Sequence, residues 1–227
     1  MRKAFLVLAI LAVVLVGGDL VIGSIAEARL AERAQNRLGL TERPEVDLKG
    51  FPFLLHALRR RFPEVSVEAR DVRVQGLSIA RFVVRLRDVR FGSTAAIAGG
   101  GGGLSARGGG GTVEVTQASL GAYLKRHDVP LRVELLGSSR ARVSGVAAVL
   151  GVDVEASAEG TLALTDGSLE FRPERIEVGD GIEVPPSAFA FRVDLPDALP
   201  GVAYDGIAID RRRAVLSFRL RGTNLPL

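Results

Sequence analysis

Gly50-Phe51-Pro52-Phe53-Leu54-Leu55-His56-Ala57-Leu58-Arg59-Arg60-Arg61-Phe62 concentrates large apolar side chains in one segment and ends it on three consecutive arginines. Pro52 has a restricted φ, so the chain is expected to bend before the apolar run. A helix turn buried in an ordinary core accounts for such a run. The adjacent cations admit a second use, in which apolar groups meet hydrocarbon while arginines meet an anionic group. The two uses are compatible if one face packs and the other lines a groove. For Arg59, Arg60 and Arg61 the plain alternative is a solvated edge.

Outward from this segment, the N-terminus carries Arg2 and Lys3, then an uncharged run from Ala4 to Gly18. That is a basic region followed by an apolar one, the pattern of a signal segment. Asp19 interrupts it and apolar residues resume to Ala26. Counted to Ala26, the run reaches the roughly 20 residues of a spanning helix. Ser24-Ile25-Ala26 is also an acceptable cleavage site, so residues 1–26 read as a signal anchor or a signal peptide. Asp19 falls near the expected interface, where a charge costs little. Arg29, Arg33, Arg37 and Arg43 come after the apolar run. Positive charge at that end runs against export of the C-terminal portion.

Ile25, Ala28, Ala31, Ala34 and Leu38 recur at helical spacing, and Gly39 stands at a C-terminal capping position. This predicts an amphipathic helix continuing from the N-terminal segment. After Phe62 the period becomes two. Val65, Val67 and Ala69 alternate with polar residues, as do Phe82, Val84 and Leu86; the phase slips at Asp88 to Val89 and Phe91. A one-residue slip predicts a bulge. Alternation resumes in Leu131-Val133-Leu135, Val152-Val154-Ala156, Leu162-Leu164 and Leu169-Phe171. It closes with Phe189-Phe191-Val193-Leu195 and Ala214-Leu216-Phe218-Leu220. Eight to ten antiparallel strands in one curved meander are expected, with turns at Asp166-Gly167 and Asp180-Gly181. A second helix is expected from Thr116, its N-cap, to His127. The glycine runs within 99–111 read as a flexible loop and lack the Lys-Ser/Thr of a phosphate loop. Residues 27–227 are expected to form one α+β domain.

Composition narrows the function. The 227-residue chain has no cysteine, which excludes disulfides and thiolate chemistry. All but Lys3, Lys49 and Lys125 of its 30 basic residues are arginine, and the net charge is +4. That sign suits anionic lipid or nucleic acid. With 5 % aromatics and no tryptophan, base-stacking platforms are not expected, and nucleic acid is set aside. His56 and His127 are the only histidines. Neither has a carboxylate or serine partner in the pattern, and no metal-ligand spacing occurs, so no catalytic residues, metal or cofactor are expected.

In order along the chain stand the apolar N-terminal segment and its arginine- and alanine-rich helix, Gly50-Phe51-Pro52-Phe53-Leu54, and a strand beginning at Val65. After these come Ser119-Leu120 with Tyr123-Leu124, Leu195-Pro196 with Leu199-Pro200-Gly201, and a last strand to Leu220. In these landmarks the sequence resembles the LmeA-like phospholipid-binding family of actinobacterial envelope proteins. The resemblance implies a TULIP-like fold, in which a strongly curved antiparallel sheet wraps around a long helix. It also implies non-enzymatic phospholipid binding outside the cytoplasmic membrane, anchored or released to the periplasm after Ala26. Support of lipoglycan biogenesis, with an envelope glycosyltransferase as partner, is implied as well. On this reading Phe51, Phe53, Leu54, Leu55, Leu58, Phe62, Phe82, Val84, Leu86, Leu216 and Phe218 contact acyl chains, and Arg59, Arg60 and Arg61 the head group. The competing expectation is an envelope structural or protein-interaction module without a lipid cavity.

Overall fold

The structure, a computed structural model, describes residues 2–74, 76–149, 152–178, 185–195, 201–210 and 212–226. The expected Asp180-Gly181 turn and the Pro196–Pro200 stretch lie outside them. The chain begins with α1 (Arg2–Leu38) and β1 (Glu45–Lys49), followed by α2 (Phe53–Arg59), β2 (Arg61–Val74) and β3 (Leu77–Phe91). Next come α3 (Thr94–Ile97), β4 (Gly103–Thr116), α4 (Gln117–Arg126) and β5 (Leu131–Gly137). The remainder is β6 (Arg140–Val149), β7 (Val152–Thr165), β8 (Ser168–Val178), β9 (Phe191–Asp194), β10 (Val202–Asp210) and β11 (Arg213–Pro226).

The strands form two sheets rather than one meander, with orders β1-β2-β3-β4-β11-β10 and β5-β6-β7-β8-β9. The pairings β1–β2 and β5 through β9 are antiparallel. The chain is mostly antiparallel sheet with a few helices, which is the α+β class expected. The residues group into two compact units. The first comprises Met1–Ala69, Val83–Gly110 and Leu220–Leu227; the second comprises Arg70–Phe82 and Gly111–Arg219.

In the first unit α1 runs unbroken through the boundary anticipated at residue 26 and packs on β1 and α2. Its buried stripe is Asp19, Gly23, Ala26 and Leu30, joined by Ala31. This departs from the predicted stripe, because Ile25 and Leu38 are exposed. Small residues on the buried side let neighbouring elements approach the helix axis. Among the described residues no helix is long and apolar enough to cross a membrane, so the expected spanning segment is not supported. Glu27 accepts the backbone N–H of Leu48 (2.9 Å), holding edge strand β1 on α1. β2 starts at Arg61, earlier than expected, and Phe62 is fully buried within it.

The flexible loop anticipated across 99–111 is corrected by β4, which takes in the second glycine run. The reason is close approach. A Cβ on Gly109 would lie 2.4 Å from the carbonyl oxygen of Arg85, and one on Gly108 would lie 3.1 Å from that of Leu220. These glycines are strand residues selected for contact between backbones, and Leu104 and Ala106 bury the inner side. The slip expected at Asp88 is present. Asp88 has φ 53°, and burial passes from Leu86 to Val89.

In the second unit Thr116 caps α4 through its Oγ1, which accepts the Ser119 N–H (3.1 Å), and Leu120 and Leu124 are buried. Asp166 and Gly167, at φ 47° and 77°, close the β7–β8 hairpin between paired Thr165 and Ser168. Positive φ at both central residues is the two-residue turn that matches strand twist.

Gly109→Ala should therefore lower stability by about 1–3 kcal/mol through overpacking. Gly121→Ala on α4, where an added Cβ meets nothing within 4 Å, should raise it by about 0.5–1 kcal/mol. Urea unfolding of the two variants checks both signs.

Candidate functional site

The segment Gly50–Phe62 is built around a helix start with no local cap. Pro52 occupies the N-cap position and makes no side-chain capping bond. The first amides of α2 are instead satisfied from α1. The Asp19 carboxylate accepts the Phe53 N–H at 2.6 Å and the Leu54 N–H at 2.8 Å. Asp19 is 4 % exposed. It is thus a tertiary cap for α2, not the interfacial charge anticipated, and it meets the requirement that buried polar groups be bonded. Phe53 turns inward beside Gly23 of α1, where a Cβ would lie 3.4 Å from its ring. Gly50, at φ 139°, leaves room for His56; a Cβ there would approach the imidazole to 2.7 Å.

The apolar residues of the segment divide. Phe53 and Phe62 are buried with ring centroids 5.6 Å apart, and Phe62 meets Phe91 edge-on at 5.7 Å. Val84 and Leu86 are also core of the first unit. Phe51, Leu54, Leu55 and Leu58 remain exposed, Phe51 by 63 % and Leu58 by 78 %. Leu15, Val16, Leu20, Val21, Ile22 and Ile25 of α1 are exposed as well. Apolar side chains are therefore uncovered on both helices that meet at Asp19. Phe82, Leu216 and Phe218 belong to the second unit, where Phe82 stacks on Phe218 at 5.8 Å and Leu216 is fully buried. The eleven residues read as one acyl-contacting set thus separate into six buried residues, a half-buried Phe82 and an exposed set of four.

The three arginines do three different things. Arg60 adopts φ 53° at the end of α2, donates its N–H to the Ala57 carbonyl (3.0 Å) and its guanidinium to the Gly92 carbonyl (2.8 Å). It turns the helix into β2, an architectural task. Arg61 Nε donates to Asp88 Oδ1 at 2.7 Å. Arg59 is exposed at the end of α2. Arg59 and Arg61 line an open cavity of about 850 Å³ together with His56, Glu64, Arg87, Asp88 and Arg107. Arg107 pairs with the other oxygen of Asp88 at 2.9 Å. The Arg61 hydrogen bond, aided by the charges of Arg107 and Arg90, holds the Asp88 carboxyl below the ordinary carboxylate range.

Arg87 and Arg107 were not among the residues expected at the site. Arg87 was visible as an outward residue alternating with Leu86, but its nearness to Arg59 needs the β2–β3 pairing. Arg107 was hidden inside the supposed loop. His56 places Nδ1 2.9 Å from the Arg61 carbonyl and its ring 5.8 Å from Phe62, which is a packing role. His127 follows α4 with its ring 4.3 Å from that of Tyr123. Among the described residues no group of three or more His, Asp or Glu is arranged to hold a metal ion.

Uncovered apolar side chains beside a cationic cavity define a surface suited to amphiphiles with an anionic end. Residues 17–217 match the family model for LmeA-like phospholipid-binding proteins, and the chain belongs to that family. No curated protein and no solved structure matches it.

Asp19→Ala should leave two α2 amides unpaired and cost about 1–3 kcal/mol, with faster hydrogen exchange at Phe53 and Leu54; Asp19→Asn should cost less. Because Asp88 titrates lower in the folded chain, its contribution is present at neutral pH and is lost on acidification below about pH 4. Asp88→Asn should flatten that acid limb of the stability curve, as followed by circular dichroism.

Proposed function

We propose that this chain is a non-enzymatic phospholipid-binding protein of the cell envelope whose acyl contacts are Phe51, Leu54, Leu55 and Leu58, with the exposed residues of α1 beside them. The observation carrying this reading is the outward apolar side of α2 in a member of a phospholipid-binding family. Binding and relocating a lipid makes and breaks no bond, so no proton-transfer group is required.

Magnitudes set the manner of binding. Withdrawing an acyl chain of about 16 carbons from a bilayer costs roughly 12 kcal/mol at about 0.8 kcal/mol per CH₂. Four side chains, each worth about 1.5–3 kcal/mol when fully buried and here only partly exposed, supply about half of that. The α2 surface therefore grips part of a chain while the rest stays in the bilayer or lies along α1. On this reading the work is done at a membrane surface. The α1 N-terminus is the element nearest in character to hydrocarbon, and the reading puts it at the cytoplasmic membrane with the remainder facing outward. A TULIP-like wrapping of sheet around helix, support of lipoglycan assembly and a glycosyltransferase partner complete the reading and rest on the family resemblance alone.

The rival module without a lipid cavity draws on a specific observation: Phe53, Phe62, Val84, Leu86, Leu216 and Phe218 are all buried. It requires no lipid at all. Phospholipid co-purifying with the full chain is the discriminating quantity. Leu54→Asp with Leu58→Asp should remove most of it while far-UV circular dichroism stays unchanged, since both side chains are exposed. Retention of the parental lipid content by this double variant would take α2 out of the site.

A further inference from the structure

We propose that the cavity at the end of α2 recognises the phosphate of an anionic lipid, with Arg59 and Arg87 as the binding cations and Asp88 as the residue that positions Arg61 and Arg107 beside them. The inference rests on the phospholipid-binding reading above and adds a ligand chemistry to it.

Charge is the first ground. Four guanidinium groups line the cavity against two carboxylates, Glu64 and Asp88. Asp88 is divided between two of them, with one oxygen on Arg61 at 2.7 Å and the other on Arg107 at 2.9 Å. Arg59 and Arg87 have no ion pair among the described residues. Two positive charges are thus left uncompensated in one concavity, which an anion relieves.

Donor chemistry is the second ground. A guanidinium carries five N–H donors in a fixed fork that fits phosphate bidentately, so Arg61 and Arg107 keep donors after binding Asp88. Asp88 itself is fixed by a left-handed backbone, φ 53°, at the point where β3 breaks its alternation. The slip thereby has a chemical consequence: it places a carboxylate between two arginines that originate in different strands, β2 and β4.

Position is the third ground and selects the source of the phosphate. Arg59 directly follows Leu58 and stands four residues after Leu55, about one helical turn away. A cation one turn from exposed leucines matches a molecule with a charged end joined to hydrocarbon. Free phosphate would use the arginines and leave the leucines uncovered. With two charges to satisfy, a phosphomonoester lipid, carrying about −1.5 to −2, fits better than a phosphodiester, and both fit better than a zwitterion.

The full-length chain in neutral detergent, equilibrated with equimolar phosphatidic acid and phosphatidylcholine, tests this by native mass spectrometry of the bound lipid. Phosphatidic acid should dominate. Arg59→Ala with Arg87→Ala should reduce that preference by roughly tenfold or more, as expected for two surface charges. Replacing both by Lys, which keeps charge but not the fork, should give an intermediate preference. Persistence of the parental preference in the Ala variant overturns the proposal, as does a parent that binds both lipids equally. In the latter case phospholipid binding itself stands. A parent that takes up neither lipid sinks both readings. Glycerol 3-phosphate should bind weakly and leave the lipid in place; if it displaces the lipid, the cavity serves a soluble phosphate and the lipid-borne source is wrong.

Discussion

One carboxylate organises the candidate site. Asp19, inside α1, accepts the first two amides of α2 and thereby fixes where a seven-residue helix stands. So short a helix is unstable alone in water, because nucleation costs more than its few hydrogen bonds return. α2 exists because α1 caps it, because Phe53 packs beside Gly23, and because Arg60 ends it in a left-handed turn. The consequence for function is direct. With Phe53 turned inward by the cap, Leu54, Leu55 and Leu58 face outward and Arg59 reaches the cavity edge. Site and fold share the same few hydrogen bonds.

The division of apolar residues has a related cause. On a helix with one anchored face, residues three and four apart from the anchor go inward and the rest go outward. On β3, by contrast, alternate residues are buried, so Val84 and Leu86 go inward and Arg85 and Arg87 outward. α2 thus presents leucines outward, and β3 presents arginines outward. Glycines in β4 bring the strands close enough for Arg107 to share Asp88 with Arg61. The segments that look least structured in composition are the ones that complete the cationic cavity.

Much of this was legible in one dimension. Thr116 with its helix, the Asp166-Gly167 turn and the slip at Asp88 all rest on interactions within a few residues, where local chemistry decides. The α1 stripe was displaced from its expected position because alanine-rich periodicity fits several faces equally well. The glycine-rich strand was missed because its logic is the approach of Arg85 and Leu220 backbones, far away along the chain. Asp19 looked like a cheap interfacial charge for the same reason, since its partners lie 34 and 35 residues on.

By itself the order of residues determined the α+β class, the family landmarks, the hairpin and the second-unit helix, because periodicity and capping act over short distances. Only the folded chain decided which phenylalanines and leucines are core and which are surface, and which of the three arginines is free to bind. Those outcomes depend on which distant backbone a side chain meets, and burial is a property of the neighbours as much as of the residue.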